Sequence, residues 1–239
     1  MTEMLSLPDL SHASWNRSTF PPPTQGITEV AARERFGNCL STFAAKPDLG
    51  PGRQQGSRLY VYRSGVIVTA PGDYVGAYAW ETMRVLQYPP SVESGAGYRS
   101  CTLIDPHGNA VALGPGGLYL TRAARREYGI TSAVQGSRIL YPSEWGPYIQ
   151  KAVAAAQLNP TLLRMARGET IDFGPLKADR IGLHDSEKSV AWQDIADFDL
   201  SHRTLTFNSP CMRPVLAATD TYKIVNIHLF LTLCRTLTP

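Results

Sequence analysis

The sequence predicts an α+β protein that contains two copies of one unit, each a bent antiparallel sheet closed by a C-terminal helix. Short alternating strand patterns, separated by turns rich in Gly and Pro, predict the sheets. A helical pattern follows the strands in each half, and one short motif recurs in both halves. With 239 residues, the chain is long enough for one large domain or two small ones.

The composition is that of a folded protein with nearly balanced charge. Hydrophobic residues make up 43% of the chain and charged residues 18%, which excludes wholesale disorder. There are 23 Lys and Arg against 20 Asp and Glu, a formal net charge of +3. Proteins that neutralise nucleic-acid phosphates usually carry a larger basic excess, so no nucleic-acid partner is expected.

The cysteines and the apolar segments predict a soluble cytoplasmic protein. Cys39, Cys101, Cys211 and Cys234 are too far apart in sequence for a CxxC motif, and we expect reduced thiols in the core. The first residues lack the basic start and apolar run of a signal peptide. No stretch reaches the roughly 18 apolar residues of a membrane span. Attachment to the membrane periphery remains the alternative location.

The first half begins with a segment rich in Ser, Pro and Thr. Residues 1–26, which end in PPPTQG, are predicted to be a flexible tail because prolines favour extended backbone and remove amide donors. A helix is predicted over residues 29–36, capped by Thr28 and ended by Gly37. Strands are predicted over residues 38–43, 58–68 with a break at Ser64-Gly65, 98–104 and 110–113. Residues 78–87 fit either a strand or a helix.

Two helical segments follow these strands. Residues 121–128 are predicted to form a helical turn, and residues 143–158 a longer helix that begins at Ser143 and ends at Asn159-Pro160. The second half then repeats the order, with a closing helix over residues 221–235. Its strands are predicted over residues 169–173, 176–183 with a break at Gly182, 189–200 and 202–207. The predicted domains are therefore residues 27–159, with an insertion at 114–142, and residues 160–239.

The internal repeat rests on one glycine and one tryptophan in each copy. SGVIVTAPGDYVGAYAWETMRVLQ in the first half matches RIGLHDSEKSVAWQDIADFDL in the second. Gly65 or Gly182 stands at a strand break, and an Ala-Trp pair ending at Trp80 or Trp192 follows after a turn of variable length. Since an aromatic residue at the same place in both copies favours architecture, we interpret these four residues as structural. A tryptophan that stacks on a ligand is the alternative.

The motif Val190-Ala191-Trp192-Gln193-Asp194-Ile195 resembles the signature of bacterial pleckstrin-homology-like domains. That signature is a strand, a Gly-marked turn and a strand beginning with apolar-x-Trp-x-acidic-apolar. More narrowly, the chain is similar, from about Ala31 to its end, to uncharacterised actinobacterial-type proteins with two such repeats. Further support comes from Arg58-Leu59-Tyr60-Val61-Tyr62 before Gly65, Gly168-Glu169 with Phe173-Gly174, and Val225-Asn226-Ile227 with Leu229-Phe230-Leu231. Glu81-Thr82-Met83 departs from the signature. The resemblance implies two tandem pleckstrin-homology-like domains, and it implies no established activity.

Basic residues on neighbouring strands are the candidate binding residues. Pleckstrin-homology folds that bind inositol phosphates use Lys and Arg in this way, because a phosphate needs several convergent donors. Ordinary surface charge is the alternative. The candidates are Arg58, Arg63, Arg122, Arg125, Arg126, Lys177 and Arg180.

No motif in the sequence names a reaction. The HExxH and CxxC patterns and the GxSxG elbow are absent, so no metal, cofactor or catalytic residue is predicted. Spacing does not exclude a Ser/His/Asp site, because such sites assemble in space. We expect a non-enzymatic binding or scaffolding protein whose partner is another protein. Binding of a membrane lipid or inositol phosphate at an anionic surface is the second hypothesis, and an enzyme is the third.

Overall fold

The computed structural model describes residues 22–45, 57–88, 100–114, 121–201 and 203–238. These residues form a mixed α+β structure with four small, mostly antiparallel sheets and a C-terminal helix, which confirms the predicted fold class at that level. None of the sheets formed by the described strands closes into a barrel. Of the predicted tail, the residues before Pro22 lie outside the described part of the chain.

Two compact units divide the chain. The first contains residues 1–84 and 90–149, and the second contains residues 85–89 and 150–239. Up to residue 135 the elements are α1 (Gln25–Arg33), β1 (Cys39–Ala44), β2 (Arg58–Tyr62), β3 (Gly65–Ala70), β4 (Tyr74–Ala79), β5 (Arg84–Tyr88), β6 (Ser100–Ile104), β7 (Asn109–Leu113), α2 (Arg122–Glu127) and β8 (Ser132–Gln135). From residue 142 they are α3 (Pro142–Ala166), β9 (Ile171–Asp172), β10 (Lys177–Ala178), β11 (Gly182–His184), β12 (Ser189–Ala191), β13 (Asp197–Ser201), β14 (Thr204–Asn208), β15 (Thr219–Asp220) and α4 (Ile227–Leu237).

The first sheet is an antiparallel meander in the order β1-β2-β3-β4. The predicted break at Ser64-Gly65 is confirmed, because β2 and β3 pair as a hairpin with Leu59 opposite Val68. Most residues of these two strands are buried, as expected where both faces of a sheet are covered. Helix α1 covers one face: its Ile27 and Ala31 belong to a core cluster with Tyr60, Tyr62 and Ile67.

The strands predicted over residues 98–104 and 110–113 are confirmed from Ser100 onward by the antiparallel pairing of β6 and β7, and residues 98–99 lie outside the described part of the chain. Asp105 explains the turn, because its Oδ1 accepts hydrogen bonds from the backbone of His107 and of Asn109, each at 2.8 Å. Strand β8 then runs parallel to β7, with Val134 opposite Val111. The sequence did not predict β8, which lies inside the predicted insertion and is only four residues long.

The first helix differs from its prediction at both ends. It begins at Gln25 and not at Glu29, so Gly26 of the predicted tail is helical and Thr28 lies inside the helix. The helix ends before Gly37, because Arg35 takes a left-handed backbone with a φ of 58°. The amide of Phe36 then bonds to Ala31 O at 2.9 Å, as in a Schellman motif.

Helix α3 contradicts the prediction that Asn159-Pro160 ends a helix. It continues through both residues to Ala166. Apolar burial explains the difference: Met165 is in the core of the second unit, and Leu162 packs against that core. Burying such side chains contributes about 1.5–3 kcal/mol each, which offsets the loss of about 3 kcal/mol at a helical proline. The predicted domain boundary at these residues stays a prediction, although the compact units divide after Ile149.

Residues 78–87 form neither one strand nor one helix. Strand β4 ends at Ala79, a turn follows at residues 80–82, and β5 begins at Arg84. Backbone bonds from Thr82 and Met83 to Ala79 O close the turn at 3.2 and 2.9 Å. Trp80, Met83 and Leu86 have helical spacing in the sequence, but a tight turn between two strands, and not a helix, separates the first two.

The second unit contains two further antiparallel sheets, in the orders β12-β11-β10-β9 and β13-β14-β15. The strands of the first of these are only two or three residues long, so side-chain packing must supply much of its stability. Helix α4 provides part of it: the ring of Phe173, directly after β9, contacts Phe230 at a centroid distance of 5.0 Å, and Phe207 of β14 contacts the same ring at 6.2 Å. Within the described residues, no helix is both long and apolar enough to cross a membrane.

Buried Asn226 fixes the start of α4. Its backbone is left-handed, with a φ of 51°, and its Oδ1 accepts a hydrogen bond from Val85 N at 2.7 Å. The amide Nδ2 donates to Gln157 Oε1 at 3.0 Å, and Asn226 N donates to Val85 O at 2.9 Å. Because Val85 belongs to the second unit, these bonds hold this unit's elements together.

Candidate functional site

Trp80 packs as a core residue of the first unit. It is 4% exposed, and its Nε1 donates to Arg63 O at 3.0 Å. Its backbone amide donates to Ser64 O at 3.1 Å. The ring meets Tyr148 edge-on, with centroids 6.2 Å apart. The side chain has its polar atom satisfied and little surface left for a ligand.

Trp192 repeats this arrangement in the second unit. It is 6% exposed, its Nε1 donates to Asp179 O at 2.9 Å, and its backbone amide donates to Ile181 O at 3.1 Å. In both units the amide acceptor is the residue directly before the predicted glycine. An open cavity of about 470 Å³ lies beside Trp192. Its lining residues are Arg180, Ile181, Ala191, Trp192, Gln193 and Leu237.

Gly65 and Gly182 stand opposite the alanine that precedes each tryptophan. Gly65 pairs with Ala79 and Gly182 with Ala191. A Cβ at Gly65 would lie 2.6 Å from Tyr78 O, and one at Gly182 would collide with Val190 O. Both positions therefore need a residue without a side chain. We call each set of glycine, alanine, tryptophan and acceptor carbonyls a tryptophan corner.

The predicted basic residues on β2 do not converge. Arg58 begins the strand and Arg63 follows its last residue. At a rise of about 3.3 Å per residue, their backbones are about 16 Å apart. Arg58 is half-buried, whereas Arg63 is exposed. With their backbones this far apart, Arg58 and Arg63 do not form one phosphate site.

The three predicted arginines of α2 share one helix face. Arg122, Arg125 and Arg126 are spaced i, i+3 and i+4, which places them side by side. Arg122 and Arg126 are exposed, and Arg125 is half-buried. Thr121 caps the helix by accepting from Ala124 N at 3.1 Å. This arginine ridge is the one predicted basic group that the structure brings together.

The predicted pair of the second unit is divided between two surfaces. Lys177 lies on β10, 3.9 Å from Asp172 Oδ2, so a carboxylate already offsets part of its charge. Arg180 is exposed in the turn after β10 and lines the cavity beside Trp192. The two residues therefore offer separate charges.

A groove of about 650 Å³ lies between α1 and the start of β1. Its apolar wall comes from the proline segment and α1, and its polar wall from the helix end and the first two strands. The lining residues are Pro22, Pro23, Thr28, Ala31, Ala32, Arg35, Gly37, Asn38, Cys39 and Tyr62. We call it the α1 groove. Among these lining residues Arg35 carries the charge.

Tyr62, which lines the α1 groove, carries a buried polar atom without a partner. The residue is 3% exposed, and its hydroxyl has no hydrogen-bond partner among the described residues. Burial, together with neighbouring Cys39 and Tyr60, raises the pKa of Tyr62 to about 12. The phenol is therefore neutral near pH 7 and can both donate and accept. A buried hydroxyl without a partner costs about 1–3 kcal/mol, which a ligand atom could recover.

Cys39 is a thiol rather than a nucleophilic thiolate. Burial raises its pKa, and this outweighs the opposing hydrogen bonds to Thr42 and Ser41. Its Sγ lies 3.5 Å from Ser41 O. The α1 groove therefore has the chemistry of a binding site: an apolar wall, one guanidinium and neutral polar groups.

Sequence reasoning missed Arg35 and Tyr62. Arg35 stood inside a predicted helix, and Tyr62 stood in an apolar strand pattern that indicated core. Comparison of the chain with protein-family models, with curated proteins and with solved structures gives no match.

Proposed function

We propose that the chain is a binding or scaffolding protein built from two tandem pleckstrin-homology-like domains. The order of elements supports the tandem arrangement. A four-stranded meander, further strands and a helix follow one another twice, from β1 to α3 and from β9 to α4. The shared hydrogen bonds of the two tryptophan corners support it as well. A cytoplasmic location belongs to the same proposal.

The proposed ligand is an extended acidic peptide segment of a partner protein, bound in the α1 groove. The observation that carries this is the buried, unpartnered hydroxyl of Tyr62, a residue that lines a groove whose charged lining residue is Arg35. A peptide backbone or side chain supplies the missing partner for the hydroxyl, and an acidic residue complements the guanidinium.

Strand β1 gives such a peptide a backbone to pair with. It is an edge strand of its sheet, and Leu40 on it is 37% exposed. Among the described residues, neighbours bridge its outer side only at the carboxyl end, where Leu140 N donates to Ala44 O and Ala45 bridges Ile139. Addition of an extended segment to a sheet edge is a common mode of peptide recognition.

Selection from a random peptide display library tests this proposal. The native chain should enrich acidic peptides, and Arg35→Glu should reduce their affinity at least tenfold. Arg33→Glu is the matched control, because Arg33 is exposed at the end of α1, two residues before Arg35, and already pairs with Glu34 at 3.2 Å. Tyr62→Phe keeps the ring and should weaken binding about three- to tenfold. If no peptide is enriched, or if both arginine variants act alike, the proposal is wrong.

Peripheral binding to an anionic lipid or inositol phosphate is the second candidate, and the arginine ridge of α2 favours it. Vesicles of phosphatidylcholine with phosphatidylserine or a phosphoinositide provide the test. Co-sedimentation that is lost on charge reversal of Arg122 and Arg126 would establish lipid binding through the ridge, and loss on reversal of Lys177 and Arg180 would place it in the second unit. No sedimentation at about 0.15 M salt would exclude this candidate.

A further inference from the structure

A carboxylate, an imidazole and a hydroxyl stand in line on the first sheet of the second unit. His184 Nδ1 lies 2.8 Å from Ser189 Oγ, and His184 Nε2 lies 2.9 Å from Asp179 Oδ2. His184 and Ser189 are directly opposite each other in the pairing of β11 with β12. This face is the polar one, because the neighbouring residues Ala178 and Leu183 point into the core.

Asp179 is held as an anion in a fixed orientation. Its Oδ1 accepts hydrogen bonds from Ile181 N at 2.7 Å and Gly182 N at 3.1 Å. Burial acts to raise the pKa of Asp179, but these two bonds and the contact with His184 outweigh it and lower that pKa. A carboxylate fixed in this way can only accept, and it faces one nitrogen of the imidazole.

The fixed carboxylate faces one nitrogen of His184 and favours the tautomer that carries its proton there. In that tautomer Nε2–H points toward Asp179, and Nδ1 is the acceptor for the Ser189 hydroxyl proton. His184 Nε2 makes no hydrogen bond among the described residues despite this 2.9 Å separation from Asp179 Oδ2, so the attraction between them is chiefly electrostatic. This is the proton arrangement of a serine whose base is oriented by an acid.

Lys177 adds a positive charge next to this line. It is opposite His184 in the pairing of β10 with β11, and therefore on the same face. Its side chain is 55% exposed, and its Nζ is 3.9 Å from Asp172, so the ammonium can turn toward a bound anion. Lys177 is two strands away from Ser189, and an ammonium that reaches across His184 would stabilise negative charge that develops on a reacting oxygen.

We propose that Ser189, His184 and Asp179 form a second site, which hydrolyses activated esters through an acyl-serine. Ser189 Oγ attacks the ester carbonyl carbon while its proton passes to His184 Nδ1. The tetrahedral adduct collapses, the carbon–oxygen bond to the alcohol breaks, and the departing oxygen takes that proton. Water then attacks the acyl-serine, gives a proton to Nδ1, and the collapse returns it to Ser189 with release of the acid. This goes beyond the proposed binding role and does not use the α1 groove.

The test uses the full chain, a fluorophosphonate probe and p-nitrophenyl acetate. We expect the probe to label Ser189, as located by mass spectrometry of the digested protein, and Ser189→Ala to abolish labelling. Ser186→Ala is the matched control, because Ser186 is an exposed serine in the β11–β12 turn, three residues before Ser189. His184→Gln and Asp179→Asn should each slow labelling and ester hydrolysis at least tenfold.

Several results would overturn the inference. The first is that the native chain is not labelled, and the second is that Ser186 and Ser189 are labelled equally. The third is that labelling of Ser189 survives in both His184→Gln and Asp179→Asn. Circular dichroism of each variant checks its fold, and Ser189→Ala changes only an exposed side chain. Because the peptide selection depends on Arg35 and Tyr62, either proposal can fail while the other stands.

Discussion

The two tryptophan corners share their hydrogen bonds but differ in what encloses them. In the first unit, the corner belongs to a meander with strands of five or six residues. In the second, the strands are two or three residues long, and Trp192 lies in one large cluster with Phe173, Phe207 and Phe230. The corner therefore depends on glycine, tryptophan and two acceptor carbonyls rather than on strand length. Either a sheet of longer strands or an aromatic core can support a tryptophan corner.

Removal of the indole gives the largest expected effect. Trp80→Ala and Trp192→Ala should each lower the free energy of unfolding by about 3–5 kcal/mol, because a large buried ring leaves a cavity. Trp192→Ala should lie at the upper end, since the short strands of its sheet offer less backbone bonding. Chemical denaturation followed by circular dichroism measures both. A loss below about 1 kcal/mol would show that the residue is not a core residue.

Addition of one methyl group to each glycine separates the two corners. Gly65→Ala should cost about 1–3 kcal/mol, because the new Cβ would press on Tyr78 O and the ring of Phe36. Gly182→Ala should cost more, since it collides with the backbone of Val190 and relief requires the strands to separate. Gly146→Ala in α3 is the control, because nothing lies within 4 Å of its added Cβ. In thermal unfolding, Gly182→Ala should lower the midpoint most, Gly65→Ala less and Gly146→Ala least. Equal costs at Gly65 and Gly182 would contradict this ranking.

Replacement of tryptophan by phenylalanine isolates the shared hydrogen bond. Trp80→Phe and Trp192→Phe keep an aromatic ring but leave the carbonyl of Arg63 or Asp179 without its indole donor. We expect each to lose about 1–2 kcal/mol from the unmade bond, less than the alanine variants lose. Denaturant midpoints measure the loss. If phenylalanine costs as much as alanine, the hydrogen bond and not the packing dominates.

Acid sensitivity gives the smallest effect and is expected only of the second corner. The backbone carbonyl that accepts from the Trp192 indole belongs to Asp179, whose side-chain pKa is lowered in the folded state. In the first corner this carbonyl belongs to Arg63. The stabilisation is therefore present above the unfolded pKa of about 3.9 and is lost as pH falls through the lower folded pKa. We expect Asp179→Asn to flatten the acid side of the stability profile by under about 1 kcal/mol. If the free energy of unfolding of Asp179→Asn has the same pH dependence as that of the native chain between pH 2 and 5, this prediction is wrong.

Local patterns predicted the hairpins but not the ends of the helices. The β2–β3 and β6–β7 hairpins depend on alternating apolar residues and on a turn at Gly65 or Asp105, which neighbours in sequence encode. The extension of α3 past Pro160 depends on Met165 reaching a core assembled from distant strands. Strand β8 depends on parallel pairing with β7, which a half-exposed four-residue pattern does not reveal.

The candidate sites were less accessible to sequence reasoning than the fold. Basic residues drew attention because charge is visible in sequence, yet among the predicted ones only the arginine ridge of α2 converges. Tyr62 looks like any apolar strand residue until α1 covers its sheet and leaves its hydroxyl buried without a partner. The approach of Ser189 to His184 depends on strand register, since a shift by one residue would turn the serine to the other face.

The sequence by itself determined the α+β class, the central hairpins and the repeated glycine and tryptophan, because these depend on periodicity and on local backbone chemistry. Tertiary structure decided which polar atoms were paired and which were not. Arg35 and Tyr62 line one groove only after α1 packs on its sheet, and Asp179, His184 and Ser189 meet on one sheet face only when neighbouring strands pair in register. Distance and burial, which create both candidate sites, are properties of the folded chain.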